Sequence, residues 1–486
     1  MEILRIFKNQ YFWLFLIIIF ALFVRLYKID SPIADWHSWR QADTAAVTRN
    51  FIKEGFNPLL PKYDDMSTVS EVLMPNPSRF RFVEFPVYNI FVYPFYLLFG
   101  VNEAYHRFVS VIFSLGSAIF LFFIVKRFSG IFEAFVATTV FSFLPYNVFF
   151  SRTTLPEPTF VFFSLGMVYF VSEWIEKEDF KNLFPAFFFT SIAFLIKPWA
   201  VFFYLPLLYL VFKKRSILKR FILFSLLAFT PFIGWRLWIL QQPQGIPASS
   251  WLLNGDGIRL RPAFWWWIVS ERIGREILGA TGFVLFCLGL IFKSKNGYFF
   301  HIFVLSIFLF FTIFATGNVR HDYYQILFVP ASSVMVALGF IQLIRGGSSL
   351  LPRIFTIPLA LLLFILTFYF GFKQISGLYQ INNPAIVEAG RVADQILPED
   401  AVVAAPYNGD SAFLYQVNRI GWPLVPGSLK SLIADFGVTH YISTTKDNKT
   451  NWVMRHFKIL VDAKDYVIVD LTKMSQNFNQ IADPEP

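Results

Sequence analysis

The chain has 486 residues, 56% of them hydrophobic and 20% aromatic, and only 15% charged. Soluble domains run about 45–50% apolar with roughly a quarter charged. The surplus here falls in blocks apolar all round, each roughly the 17–25 residues that cross a bilayer, which excludes a single soluble core. The formal charge of +10 does not mark a nucleic-acid binder, because many of the cations sit in short joints between apolar blocks, where they set membrane orientation. Cys287 is the only cysteine, so an intrachain disulfide and a cysteine metal centre are excluded.

The first apolar block, 11–28, begins beside Arg5 and Lys8 and lacks a small-residue cleavage site before Tyr27. It reads as a retained signal anchor. A first outer loop, 29–84, opens with DWHSWRQAD. The stretch VYNIFVYPFYLLFG (87–100) is too short and too broken by Pro94 to span, and reads as surface-lying or re-entrant. A span at 104–125 ends inside at Lys126 and Arg127, and one at 131–150 emerges at SRTTLPEP. The next returns to EWIEKEDFKN. Two short spans follow, with Lys197-Pro198 at the hairpin tip, and end at KKRSILKR, the strongest inside mark in the chain.

A span at 221–240 leads to an outer loop through 276, and the next ends inside at Lys293 and Lys295. The chain emerges again at GNVRHDYYQ, returns inside near Arg345 and leaves through 353–371. Roughly eleven spans put the N-terminus in the cytoplasm and the C-terminus outside. Beyond 372 the composition changes: IVEAGRVADQIL reads as helix, and AVVAA, HYIST, KILVDA and YVIVDL read as strands. The expectation is an α-helical polytopic membrane protein over 1–371, with a small extracytoplasmic α/β domain over 372–486.

On this topology the polar clusters share the outer face. Charges at membrane depth cost about 2.5–3.5 kcal/mol each at a helix centre, so several on one side suggest a water-accessible cavity. The carboxylates Asp35, Asp43, Glu84 and Glu157 can supply a base or hold a metal. The cations Arg40, Arg152, Lys197 and Arg320 can bind a phosphate. His37, His321 and Tyr323 add hydrogen-bonding groups to a substrate site. Plainer roles compete. Asp35 can cap a helix that starts at Trp36. Arg40 and Asp43, three apart, can pair on one helix face. Lys197 can snorkel, His321 can be a solvated loop residue, and the tryptophans can be interfacial belt residues.

DWHSWRQADTA after the first span, EFP closing the first loop, and SRTTLPEP, LIKP and HDYY in later outer loops resemble the bacterial polyprenyl-phosphate-sugar glycosyltransferases. These belong to the GT-C group, with the dolichyl-phosphate-mannose protein mannosyltransferases and the lipid A aminoarabinose transferase. The resemblance covers approximately residues 5–370. It implies a catalytic acid at Asp35, the later-loop acidic residue at Glu157 and a phosphate-contacting cation at Lys197. Trp36 stands where many members carry a second acidic residue.

The expected activity is inverting transfer of a sugar from a polyprenyl monophosphate to a glycan, lipid or protein acceptor at the outer face of the plasma membrane. Asp35 is expected to be the general base, with Glu84 and Glu157 as the alternatives. The phosphate leaves toward Lys197, with Arg152 or Arg320 neutralising charge. No nucleotide-sugar loop or cofactor motif is present, and a divalent metal at Asp35 and Glu157 stays open. Membrane lipids are expected partners and nucleic acid is not. The rival reading is a transporter or flippase for lipid-linked saccharides, for which paired broken helices in two halves would be expected.

Overall fold

The computed structural model describes residues 9–295, 297–346 and 352–474; Arg5 and Lys8 lie outside the described residues. The chain divides into two compact units. A helical unit comprises residues up to Ile29, Arg107–Leu237 and Ser249–Leu378, and a sheet unit comprises Asp30–His106, Trp238–Ala248 and the residues from Tyr379 onward.

In the helical unit, apolar helices pack on one another: Glu157–Lys177 on Phe180–Ile196, Val201–Lys213 on Phe299–Ile313, and Val329–Arg345 on both Ile131–Phe143 and Thr281–Ile291. Among the described residues, five helical stretches are long and apolar enough to cross a membrane: Glu103–Phe128, Glu157–Lys177, Arg215–Ile239, Asp322–Arg345 and the one beginning at Arg353. A further candidate is the pair Pro262–Ile277 and Thr281–Ile291, bent by 112°. Shorter apolar helices of 10–17 residues, Gln10–Arg25 and Phe180–Ile196 among them, stand at the remaining expected spans.

Proline punctuates several of these helices. Pro145 stops Ile131–Phe143 at Leu144, which is extended (φ −54°, ψ 120°), and opens the short helix Pro145–Phe150. The helix Val329–Arg345 is buried along most of its length, and close approach explains how. A Cβ on Gly339 would lie 2.0 Å from the Leu285 carbonyl oxygen, and one on Gly289 1.9 Å from that of Met335. Without a hydrophobic drive between helices in lipid, such small residues let backbones touch and gain dispersion contact.

The sheet unit carries a five-stranded mixed sheet, β1 Val402–Ala404, β2 Ile420–Trp422, β3 His440–Ser443, β4 Phe457–Asp462 and β5 Val467–Met474, in the order β2-β1-β3-β5-β4. β1 pairs parallel with β2 and β3, whereas β5 pairs antiparallel with β3 and β4. The expected strands correspond to β1, β3, β4 and β5. Strand β2 was not expected, because its three residues contain Gly421 and show no alternation to read. Residues of the first loop extend the sheet beyond it: Met66 N donates to Gly421 O (2.8 Å) and Gly421 N to Asp64 O (3.0 Å).

The first loop also fills the core of this unit. The helix Ser38–Glu54 is buried on nearly every side, and its Ala42, Ala45, Ala46 and Phe51 join Ile386, Val403 and Phe413 in one apolar cluster. Three alanines keep the helix thin enough for Ala412–Val417 to pack across it. The stretch expected to lie on a surface is the helix Val87–Phe99, with Pro94 inside it and Leu97, Leu98 and Phe99 exposed.

Candidate active site

Asp35, His37, Arg40, Asp43 and Glu84 belong to the sheet unit, and Arg152, Glu157, Lys197, Arg320, His321 and Tyr323 to the helical unit.

In the sheet unit the helix starts at Ser38, not at Trp36, and His37 is its N-cap residue in the left-handed conformation (φ 55°) with no side-chain capping bond. Asp35 is therefore not the cap. It is 1% exposed, and its Oδ1 accepts from the Gln41 amide at 2.7 Å, while the same nitrogen donates to Trp36 O (2.9 Å). Asn382 Nδ2 donates to the Asp35 carbonyl at 3.2 Å. The carboxylate is thus aimed by the Gln41 amide, and the backbone that carries it is pinned by Gln41 and Asn382. His37 stands half-buried with its ring 5.2 Å from that of Trp36.

The Arg40–Asp43 pair that the spacing allows does not form. Arg40 Nη2 lies 2.5 and 2.7 Å from the two oxygens of Glu84. Asp43 accepts from Arg81 at 2.6 Å and from Ser411 Oγ at 2.6 Å. Both helix residues are buried, so each takes a partner from the segment packed over it; an i,i+3 pair gains its little at the surface. Arg81 and Ser411 were missed as members of this network. Gln41 sits inside the WRQAD stretch, whereas Ser411 has no sequence signal.

In the helical unit Lys197 is the point where Phe180–Ile196 stops. Pro198 disfavours the α conformation before it, and Lys197 is extended (φ −150°, ψ 135°). It is no exposed hairpin tip: it is 5% exposed. Its ammonium pairs with Glu157 Oε1 and faces the rings of Trp199 (4.5 Å) and Tyr324 (5.6 Å). Glu157, 1% exposed, opens the helix Glu157–Lys177, where the helix dipole favours a carboxylate. Its Oε2 is buried and accepts from no donor among the described residues.

Contacts continue outward from this pair. The Tyr324 ring lies 5.2 Å from His321, His321 lies 5.6 Å from Trp251, and the Arg320 guanidinium sits 5.4 Å over Trp251. Arg320 is exposed and pairs with Asp256 at 2.9 Å. His321 is half-buried among aromatic rings instead of solvated, with Tyr323 buried beside it. Arg152 is fully buried and donates from Nη2 to Lys28 O (3.1 Å). Trp199, Tyr324, Trp251 and Asp256 complete the set without having been singled out from sequence.

The donor set does not fit a resident metal. Among the described residues no three His, Cys, Asp or Glu side chains gather closely enough to hold one. Asp35 Oδ1 already accepts from an amide, and Glu157 Oε1 faces an ammonium. An ammonium paired with the carboxylate repels a metal ion there.

Residues 84–238 match the family model of the dolichyl-phosphate-mannose-protein mannosyltransferases, a segment that holds Glu84, Arg152, Glu157 and Lys197 and excludes Asp35. No curated protein matches the chain by sequence. Among solved structures, ArnT from Cupriavidus metallidurans in the apo state superposes with a TM-score of 0.67 at 13% identity, covering 97% of this chain and 99% of that one. The same protein bound to undecaprenyl phosphate gives 0.64 at 13%, covering 94% and 98%. The archaeal oligosaccharyltransferase AglB from Archaeoglobus fulgidus, in complex with an inhibitory peptide and a dolichol-phosphate, gives 0.56 at 10%, covering 91% and 71%. The chain is a membrane protein of the GT-C fold, related over residues 84–238 to the dolichyl-phosphate-mannose-protein mannosyltransferases.

Proposed function

We propose that this chain is a glycosyltransferase that moves a hexosyl or pentosyl group from a polyprenyl-phosphate donor to a glycan, lipid or protein acceptor at the outer face of the plasma membrane, with inversion. The observation that carries the reading is the buried Lys197–Glu157 pair, an exchangeable ammonium in a fold shared with proteins solved with undecaprenyl phosphate and dolichol-phosphate. On this reading the donor phosphate takes the Lys197 ammonium from Glu157. Arg320, His321 and Tyr323 approach the donor from the same chain of contacts, and Arg152 adds positive charge.

Asp35 takes the proton of the acceptor hydroxyl. The acceptor oxygen bonds to the anomeric carbon from the face opposite the phosphate, and the bond from that carbon to the phosphate oxygen breaks. Its electron pair leaves as the polyprenyl phosphate dianion, stabilised by fixed cations. Arg40, bound to both oxygens of Glu84, holds the first loop around this base, and His37 lies beside it as an acceptor contact. On the same reading the N-terminus is cytoplasmic and the sheet unit extracytoplasmic.

The test is a transfer assay with the full chain in lipid vesicles and polyprenyl-phosphate-linked sugars, the sugar being chosen by mass spectrometry of the lipid-linked species that accumulate in a deletion strain. Asp35→Asn keeps the oxygen that accepts from Gln41 and removes the base. The expected loss is about 10²–10⁴ in rate with unchanged thermal unfolding. Near-normal turnover by a folded Asp35→Asn protein would overturn the assignment and pass the role to Glu84 or Glu157.

A further inference from the structure

The first loop carries a segment, EVLMPNPS (71–78), that the site does not use. Val72, Leu73 and Met74 are consecutive and all exposed, Leu73 to 81%. Turn tips are normally Gly, Pro, Asn, Asp or Ser, and here three large apolar side chains stand out instead. Leu73 is also held in the left-handed region (φ 52°), a conformation that costs free energy for a residue with a branched side chain.

The finger is built, not loose. Leu73 N donates to Ser70 O (3.2 Å), and Asn76, fully buried, bonds to Met66 O through its backbone nitrogen and to Phe80 through both side-chain atoms. Its base is tied to the connection that follows a membrane helix. Ala248 N donates to Val69 O (2.9 Å), and Ser70 bridges Pro247. That connection begins at the end of Leu218–Ile239, where Trp238 and Leu240 are exposed. The finger is therefore tethered, by a few residues and two backbone contacts within the sheet unit, to a point where the chain leaves lipid. The exposed end of the helix Val87–Phe99 shows that the same unit presents apolar surface elsewhere.

We propose that Val72, Leu73 and Met74 insert into the lipid interface, as a wedge that anchors the sheet unit on the bilayer. The occupant is acyl chain and glycerol backbone. Short apolar elements bury in this way at the headgroup–acyl boundary, and the tie of Val69 and Ser70 to the connection that leaves the apolar helix Leu218–Ile239 favours lipid over a protein partner. The single cysteine makes the test direct. In a Cys287→Ser background, Leu73→Cys and, separately, Met74→Cys are labelled with an environment-sensitive fluorophore in the full chain. The protein is reconstituted into phosphatidylcholine–phosphatidylglycerol vesicles, with Asp465→Cys, exposed in the turn between β4 and β5, as the aqueous comparator.

The expected result is a blue-shifted emission at 73 and 74 that is quenched by brominated lipid and shielded from iodide, with the reverse at 465. Iodide quenching at both finger positions without lipid quenching overturns the proposal. So does shielding from both quenchers, the result for a finger covered by a second copy or another protein.

Discussion

Two buried clusters, one in each unit, hold charge by different means. In the sheet unit three carboxylates of the first loop have both oxygens engaged: Asp64 by Arg49 and Asn50, Asp43 by Arg81 and Ser411, and Glu84 twice by Arg40. In the helical unit Glu157 shares one oxygen with Lys197, and the other accepts from no donor among the described residues. A guanidinium presents a fixed fork that matches a carboxylate, whereas an ammonium is a compact charge on a flexible stem. The first kind of pair builds a frame. The second can be exchanged for a phosphate without dismantling anything around it.

That contrast can be broken at Lys197. Lys197→Ala leaves Glu157 buried and uncompensated, and the expected loss is about 3–5 kcal/mol in chemical or thermal denaturation of the detergent-solubilised chain. Adding Glu157→Gln should recover most of that stability and none of the turnover. A Lys197→Ala protein of normal stability would show that the pair is already separated in the working state.

The sheet unit should fail locally. Gly421 (φ 155°) lies where β2 meets both β1 and the first loop, and a Cβ there would sit 1.8 Å from Val403 O. Gly421→Ala is expected to cost about 1–3 kcal/mol, with faster hydrogen exchange in β1 and β2 and unchanged exchange in Val329–Arg345. Equal loosening of both would mean that they unfold as one body.

The smallest effect sharpens the comparison where no guanidinium serves a carboxylate. Burial pushes the Asp410 carboxyl up to about 6, against the help of bonds from Ala412 N and Ser38. The folded state then binds a proton more tightly than the unfolded one, so the fold is penalised above the folded pKa, and the penalty fades as pH falls toward the ordinary carboxylate range. Stability should rise from pH 8 to pH 5, and Asp410→Asn should remove about 1 kcal/mol of that rise. Asp65, which burial pushes up to about 7, contributes to the part that survives. No difference between wild type and Asp410→Asn would show that Asp410 is solvated.

The membrane class, the placement of most helices and four of the five strands were legible because they follow from local composition and period. So was Lys197 as the break between two short helices, because Pro198 dictates the backbone before it. The short strand β2 was not, since three residues with a glycine carry no period. The pairings around the candidate residues were not legible either. Arg40 and Asp43 are neighbours on one helix, and proximity in sequence suggested that they meet.

What the sequence by itself determined is which segments suit lipid, and which polar residues had to find company away from it. Hydrophobic transfer and backbone satisfaction act on each segment separately and leave that mark in composition. Only the tertiary structure decided who the partners are. Ser411 reaches Asp43 and Asn382 reaches Asp35 across more than half the chain. Lys197 is buried against Glu157 because two helix ends pack together there. A buried charge accepts whichever complementary group the packing delivers, and that choice is made by the whole fold at once.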